Sequence, residues 1–306
     1  MLASRVTTVG HFLPKLRAIR LELSELRLLE NPMDLAKIFL CNGIREITLV
    51  YGNNWVSVAE PPVVSQPESS GARVAYRLLL KVATTVAENI THLTVEVPTY
   101  SGVSTIKGHL QRVLPYFHNL EQFTTSSNLL LVLQVVLTME TLKRLTAVVT
   151  VEGRKYLSNV LDRPRYSGDR AEEAVGSNSR FPSLKYMQLS GSMSDISLLF
   201  NDQRGFPKLK SVQLFIPYRN TSGARDVAKL VSTRCIRLEE LTIVRSGILS
   251  SNTPPETNPR TENTRLTTLK ICRTEYLNGN LNDLLQHFPY LKSLSVHSQV
   301  RSISSH

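Results

Sequence analysis

Cysteine is scarce in this chain, with three residues in 306: Cys41, Cys235 and Cys272. They form no CxxC pair, no zinc-ligand spacing and no even-numbered disulfide framework, so the chain reads as reduced and intracellular. Long apolar runs are missing too. The longest, Leu129 to Leu137, is interrupted by Gln134 and is well short of the roughly 20 residues a membrane helix requires. The N-terminal MLASRVTTVGHFLPKL holds no apolar stretch of signal-peptide length. A soluble protein without membrane attachment is therefore expected.

Signatures of chemistry are lacking as well. There is no Gly-rich phosphate loop ending in Lys-Ser/Thr, no HExxH, no GxSxG elbow and no EF-hand pattern. The seven histidines, His11, His92, His109, His118, His287, His297 and His306, are scattered. His109 and His118 are nine residues apart, which places them on different faces of a helix, and neither has a cysteine nearby. No catalytic residue, no metal site and no cofactor is expected.

What the chain does have is apolar residues and basic charge. At 42% hydrophobic and 20% charged it can bury a sizeable core. It carries 36 Lys+Arg against 25 Asp+Glu, a formal charge of +11. Taken alone, that excess makes a nucleic-acid or acidic-partner binder the alternative function.

A repeat decides the fold class. The pattern Leu-x-x-apolar-x-apolar recurs from anchors at Leu16, Ile44, Ile90, Leu120, Leu142, Leu184, Leu209, Leu238, Leu266 and Leu291. Successive spacings are 28, 46, 30, 22, 42, 25, 29, 28 and 25 residues. Apolar residues at the third and fifth positions after each anchor alternate with polar ones, which predicts a short strand. Helical patterns lie between strands, from Ala75, Ser104, Asn128, Ala224 and Asn280. Strand followed by helix, repeated with short links, predicts parallel strands side by side. A proline stands two residues before the anchor at Pro14, Pro182, Pro207 and Pro289, where it stops the incoming helix.

These units resemble leucine-rich repeats. The recurring Phe-Pro-x-Leu-Lys at Phe181 and Phe206, with FPYLK at Phe288, is similar to the repeat region of fungal-type F-box/leucine-rich-repeat proteins, over roughly residues 12 to 300. The resemblance implies an α/β solenoid, a horseshoe with a parallel concave sheet of about ten strands and helices on the convex side. It also implies a substrate receptor of a ubiquitin ligase, which meets a Skp adaptor and cullin only when an F-box is supplied upstream. No counterpart of that box precedes Leu16, so the chain reads as the recognition half. The position eight after the anchor, often Asn in such repeats, is Asn only at Asn128, which predicts irregular coils.

One domain is expected over 1–306, with Pro-, Ser-, Asn- and Gly-rich insertions at 52–71, 152–180 and 247–264. The single tryptophan, Trp55, lies in the first of these, where packing beneath the insertion is favoured over a role as a partner anchor.

The repeat also predicts a surface. Residues at offsets 2, 4 and 6 from each anchor point away from the core onto the concave face. The protein-binding set drawn from them is Arg20, Thr94, Thr124, Arg144, Tyr186, Gln188, Gln213, Phe215, Thr242 and Lys270. Its middle column is mostly Thr, Gln and Ser, suited to hydrogen bonding with a peptide or protein, and Tyr186 and Phe215 are the aromatic anchors. The thirty concave positions sum to a charge of −1, three basic against four acidic, so the +11 lies elsewhere. Part of it stands one residue after the anchors, at Arg17, Arg45, Lys143, Lys185, Lys210 and Lys292, which predicts a basic edge. Solvated residues inherited from a repeated unit account for this edge better than an acidic partner along the rim. The expected function is non-catalytic recognition of a protein substrate, with nucleic acid disfavoured.

Overall fold

Two residues after each of the ten anchors a β-strand begins. The computed structural model describes residues 15–22, 43–51, 70–97, 110–128, 132–137, 139–149, 181–200, 206–216, 231, 234–247, 265–274 and 288–297. Its strands are β1 (Ala18–Glu22), β2 (Glu46–Val50), β3 (His92–Glu96), β4 (Gln122–Asn128), β5 (Arg144–Val149), β6 (Tyr186–Gly191), β7 (Ser211–Ile216), β8 (Glu240–Gly247), β9 (Thr268–Thr274) and β10 (Ser293–His297). The chain divides into two compact units, Met1–Lys143 and Arg144–His306. In the first, β1 to β4 pair in parallel and in chain order. In the second, β5 to β10 do the same. With helices between its ten parallel strands, the chain has an α/β fold.

Register follows the anchors. Arg20 pairs with Thr48, Thr48 with Thr94 and Thr94 with Thr124, all four residues after their anchors. In the second unit Thr146, Gln188, Gln213, Thr242, Lys270 and Ser295 align in the same way. One irregularity, between Val244 and Gly247, shifts the end of β8 against β9.

The repeated apolar residues build the core in columns. From Ile44 to Leu266 the anchors are buried, and so are the residues three and five after them, such as Ile47 and Leu49, Met187 and Leu189, or Leu269 and Ile271. Leu209 and Leu214, expected in this ladder, are fully buried. A further column lies seven after the anchor, with Tyr51, Val97, Val149 and Ile216 buried. In β6 that slot is Gly191, paired with Val149. A Cβ there would overlap the carbonyl oxygen of Val149, so the close approach of the two strands requires glycine. The end strands are less covered. Ile19 and Leu21 in β1 and Leu294 in β10 are half-buried, and Val296 is exposed.

Another column precedes the anchors by three: Ala87, Phe117, Met139, Phe181, Phe206, Cys235 and Phe288 are all buried. The ring of Phe206 stacks on Phe181 at 5.8 Å and meets Phe200 at 5.2 Å. In most of these coils the anchor N–H donates to the carbonyl three residues back, as from Leu184 to Phe181, Leu209 to Phe206 and Leu291 to Phe288. That bond closes a β-turn whose second position is Pro182, Pro207 or Pro289, where a fixed φ favours the turn. These prolines therefore shape the entry to the strand as well as ending what comes before it. Phe181 adopts a φ of 51°, the one non-glycine residue in the left-handed region among those described.

Between coils a single carbonyl holds two donors. In most coils the residue after the anchor accepts N–H bonds from the next coil, as when Lys185 O takes Lys210 N at 2.9 Å and Ser211 N at 3.1 Å. The same pair of bonds runs from Arg45 and Glu46 to Arg17, and from Glu239 and Glu240 to Lys210.

Helices differ more from expectation. Helix α1 (Ser70–Val86) begins five residues before Ala75 and takes in the end of the supposed 52–71 insertion. It buries Leu79, Val82, Ala83 and Val86 and leads into a 3-10 turn, Ala87–Asn89. The helix expected from Ser104 is seen at 110–113 and passes into a 3-10 turn, Leu114–Tyr116. The one expected from Asn128 is a single turn, α2 (Leu133–Val136), because Asn128 ends β4. Helix α3 (Met193–Phe200) was not foreseen, although its start carries a capping signal. Asp195 N–H donates to Ser192 Oγ at 3.2 Å, and the Ser192 hydroxyl donates to the Asp195 carboxylate.

Of the helix expected from Ala224, residues 231 and 234 are described and helical. The helix from Asn280 as far as 287, the insertions beyond Tyr51, at 152–180 and after Gly247, and Pro14, Cys41 and Trp55 lie outside the described residues. Among the described residues no helix is long and apolar enough to cross a membrane.

Candidate recognition surface

Strand alternation sends offsets 2, 4 and 6 to the face opposite the core, and all thirty of those residues are exposed or half-buried. Every predicted concave-face residue therefore lies on an open face. What differs is the occupation of each side chain.

In the first unit the open face is acidic. Glu22, Glu46 and Glu96 stand against Arg20, with Thr48, Thr94 and Thr124 in the middle row. Arg20 is held rather than available. Its terminal nitrogens donate to both carboxylate oxygens of Glu96, two strands away, at 3.0 and 3.1 Å, and its Nε donates to Glu22 at 2.9 Å. Those bonds raise the guanidinium pKa, Glu96 contributing most. Ser126 is also committed, because its hydroxyl takes the Val97 N–H at 2.6 Å and donates to the Val97 carbonyl at 3.0 Å. Thr94 and Thr124 are half-buried in the sheet row between these groups.

In the second unit the open face differs from row to row. The row at offset 2 runs Arg144, Tyr186, Ser211, Glu240, Thr268 and Ser293, polar and charged. The row at offset 4 holds Gln188, Gln213, Thr242 and Lys270. The row at offset 6 is mixed, with Val148, Phe215, Val244 and Cys272 half-buried alongside Ser190 and His297. Four of the predicted residues form a joined group. The Arg144 guanidinium lies 5.6 Å from the centre of the Tyr186 ring, within cation–π range. The Tyr186 hydroxyl donates to Gln213 Oε1 at 3.0 Å and is 3.5 Å from Gln188 Oε1. These contacts hold the half-buried ring between Arg144 on one neighbouring strand and Gln213 on the other. Phe215, Thr242 and Lys270 stand beside it without joining it.

The six residues assigned to a basic edge, Arg17, Arg45, Lys143, Lys185, Lys210 and Lys292, are exposed, and several of them are engaged with neighbours. In the first unit Arg17 donates to the Gly43 carbonyl at 3.0 Å and Arg45 to the Asn89 carbonyl at 3.1 Å, so both fasten one coil to the next. Lys143 pairs with Glu121 at 2.5 Å. In the second unit Lys210 pairs with Glu239 at 2.7 Å, and Lys185 and Lys292 are exposed.

Two edge residues escaped the sequence reading. Ile236 and Tyr290 are 66% and 56% exposed, more than any other large hydrophobic residue described. They occupy the turns before β8 and β10, two and one residues ahead of their anchors, as their place in the repeat would have indicated.

No protein-family model matches the chain, and a comparison with curated proteins finds no relative.

Proposed function

We propose that this chain is a leucine-rich-repeat solenoid that recognises a protein partner without catalysis, using the open face of its second unit. The observation that carries the reading is the joined group of Arg144, Tyr186, Gln188 and Gln213 on aligned strands. An aromatic ring held by its neighbours, a guanidinium against it and two amide side chains are what protein-binding centres favour: large contact area at low entropic cost, with hydrogen bonds around it. The adjacent apolar pair Phe215 and Val244 beside that polar group supports a partner carrying both kinds of surface.

The resemblance to F-box/leucine-rich-repeat proteins extends the proposal: the bound protein is the substrate that a ubiquitin-ligase receptor selects. The test is capture from a cell lysate on the immobilised chain, in parallel with Tyr186→Ala. A protein recovered reproducibly and lost with the substitution supports the reading; an unchanged set overturns it. The ligase extension predicts that the Skp adaptor does not bind residues 1–306 and does bind a longer product carrying an F-box. Binding to residues 1–306 contradicts that division of labour.

A further inference from the structure

The edge carries more net positive charge in the second unit than in the first. At the N-terminal ends of the second unit's strands, Lys208, Arg237 and Arg265 precede the anchors, and Lys185, Lys210 and Lys292 follow them. All six are exposed, and across these same two rows Glu239 is the one acidic residue among those described. In the same two rows the first unit carries Lys15, Arg17, Arg45 and Lys143 against Glu121, and two residues before its anchors Glu88 and Glu140 add acidic charge where the described residues of the second unit add none. The exposed apolar residues of the second unit's turns, Ile236 and Tyr290, stand inside this basic ground, between Lys208 and Lys292.

Basic residues alone would suit any polyanion. Ile236 and Glu239 narrow the choice. Tyr290 could stack on a base as well as on a side chain, but Ile236, more exposed than any other large hydrophobic residue described, offers a base nothing to stack on, whereas a peptide can meet both with apolar side chains. Glu239 already neutralises Lys210 at 2.7 Å and Glu240 beside it is exposed, so this stretch is poor ground for a backbone that carries a charge at every nucleotide, whereas a peptide can place a neutral residue there. We propose that the turn edge of the second unit, from β6 to β10, is a docking surface for an acidic peptide segment that carries apolar residues between its carboxylates. This rests on the reading of the chain as a protein-recognition module: the open face selects the partner, and the edge holds an acidic segment of it. Five strands at about 4.8 Å spacing span roughly 20 Å, which an extended peptide of about six residues covers.

The test uses the full chain and a fluorescein-labelled peptide of alternating Glu and Leu, with an oligothymidylate of matching length as the competing probe. Fluorescence anisotropy should show peptide binding that weakens with added salt. The pair Lys208→Glu and Arg237→Glu should weaken binding at least about tenfold, because both reverse exposed charges in the patch. Ile236→Ser should weaken it, and Glu239→Gln should strengthen it. Tyr186→Ala, on the open face, should leave peptide binding unchanged, which separates failure of the edge from failure of the face. All these positions are exposed or half-buried, and thermal melting confirms that each variant is folded. Tighter binding of the oligothymidylate than of the peptide overturns the proposal. So does peptide binding indifferent to the charge reversals, or lost with Tyr186→Ala.

Discussion

The guanidinium carbon of Arg144 lies 5.6 Å from the centre of the Tyr186 ring, and the sheet register pairs these two residues directly across β5 and β6. They are 42 positions apart in sequence. The strand register aligns them, and the Tyr186–Gln213 hydrogen bond at 3.0 Å carries the arrangement onto β7.

The parts of this group separate by substitution. Tyr186→Phe removes the hydroxyl and keeps the ring beneath Arg144, so it should change stability by about 0.5–1.5 kcal/mol and leave partner capture largely intact. Tyr186→Ala removes the ring as well and should abolish capture. Quantitative pull-down and urea unfolding of both variants check the distinction.

The buried ladder sets the stability. Leu209 and Leu214 are fully enclosed, so Leu→Ala at either should cost about 2 to 5 kcal/mol, as deletion of buried aliphatic side chains does. Urea denaturation measures it. A cost within the range of surface substitutions would contradict the register from which the open face is read.

Gly191 makes a sharper claim about backbone packing. A methyl group there meets the Val149 carbonyl rather than a side chain that could turn aside, so Gly191→Ala should destabilise by roughly 1–3 kcal/mol as overpacking does. The melting temperature of Gly191→Ala should fall clearly.

Cysteine reactivity follows burial. Cys235 is fully buried, and desolvation pushes its thiol pKa well up, against formation of the thiolate. Cys272 is half-buried on the open face. Iodoacetamide at neutral pH should label Cys272 in the native protein and Cys235 only after unfolding, as read by mass spectrometry. The sign is fixed: a raised thiol pKa leaves Cys235 neutral across the physiological range, so raising the pH to 8 should not expose it to reagent.

Much of the fold was legible because the signal is local and repeated. Ten anchors placed ten strands, each starting two residues on, and the period-two alternation identified the buried and open faces. The helices were less legible. Between anchors the apolar residues of α1 and the run from Leu129 read alike, yet one gives five turns and the other one, because β4 extends through Asn128. On the open face the sequence identified which residues are exposed, but not which are occupied. Arg20 looks free until Glu96, 76 residues away, is placed beside it, and Ser126 until its hydroxyl is seen on the Val97 backbone. Such partners depend on side-chain reach across strands, which no single repeat encodes. Ile236 and Tyr290 were within reach of the same repeat arithmetic, had it been extended to the turns before the strands.

The central claim is that the second unit's open face binds protein. Its most direct test is comparative capture from lysate by the full chain and by a variant carrying Arg144→Ala, Tyr186→Ala and Gln213→Ala, with bound protein and bound nucleic acid quantified together. The account predicts at least one protein recovered reproducibly by the natural chain and depleted at least about tenfold with the folded variant. Recovery of nucleic acid without a reproducible protein, or equal protein recovery by both chains, would contradict it.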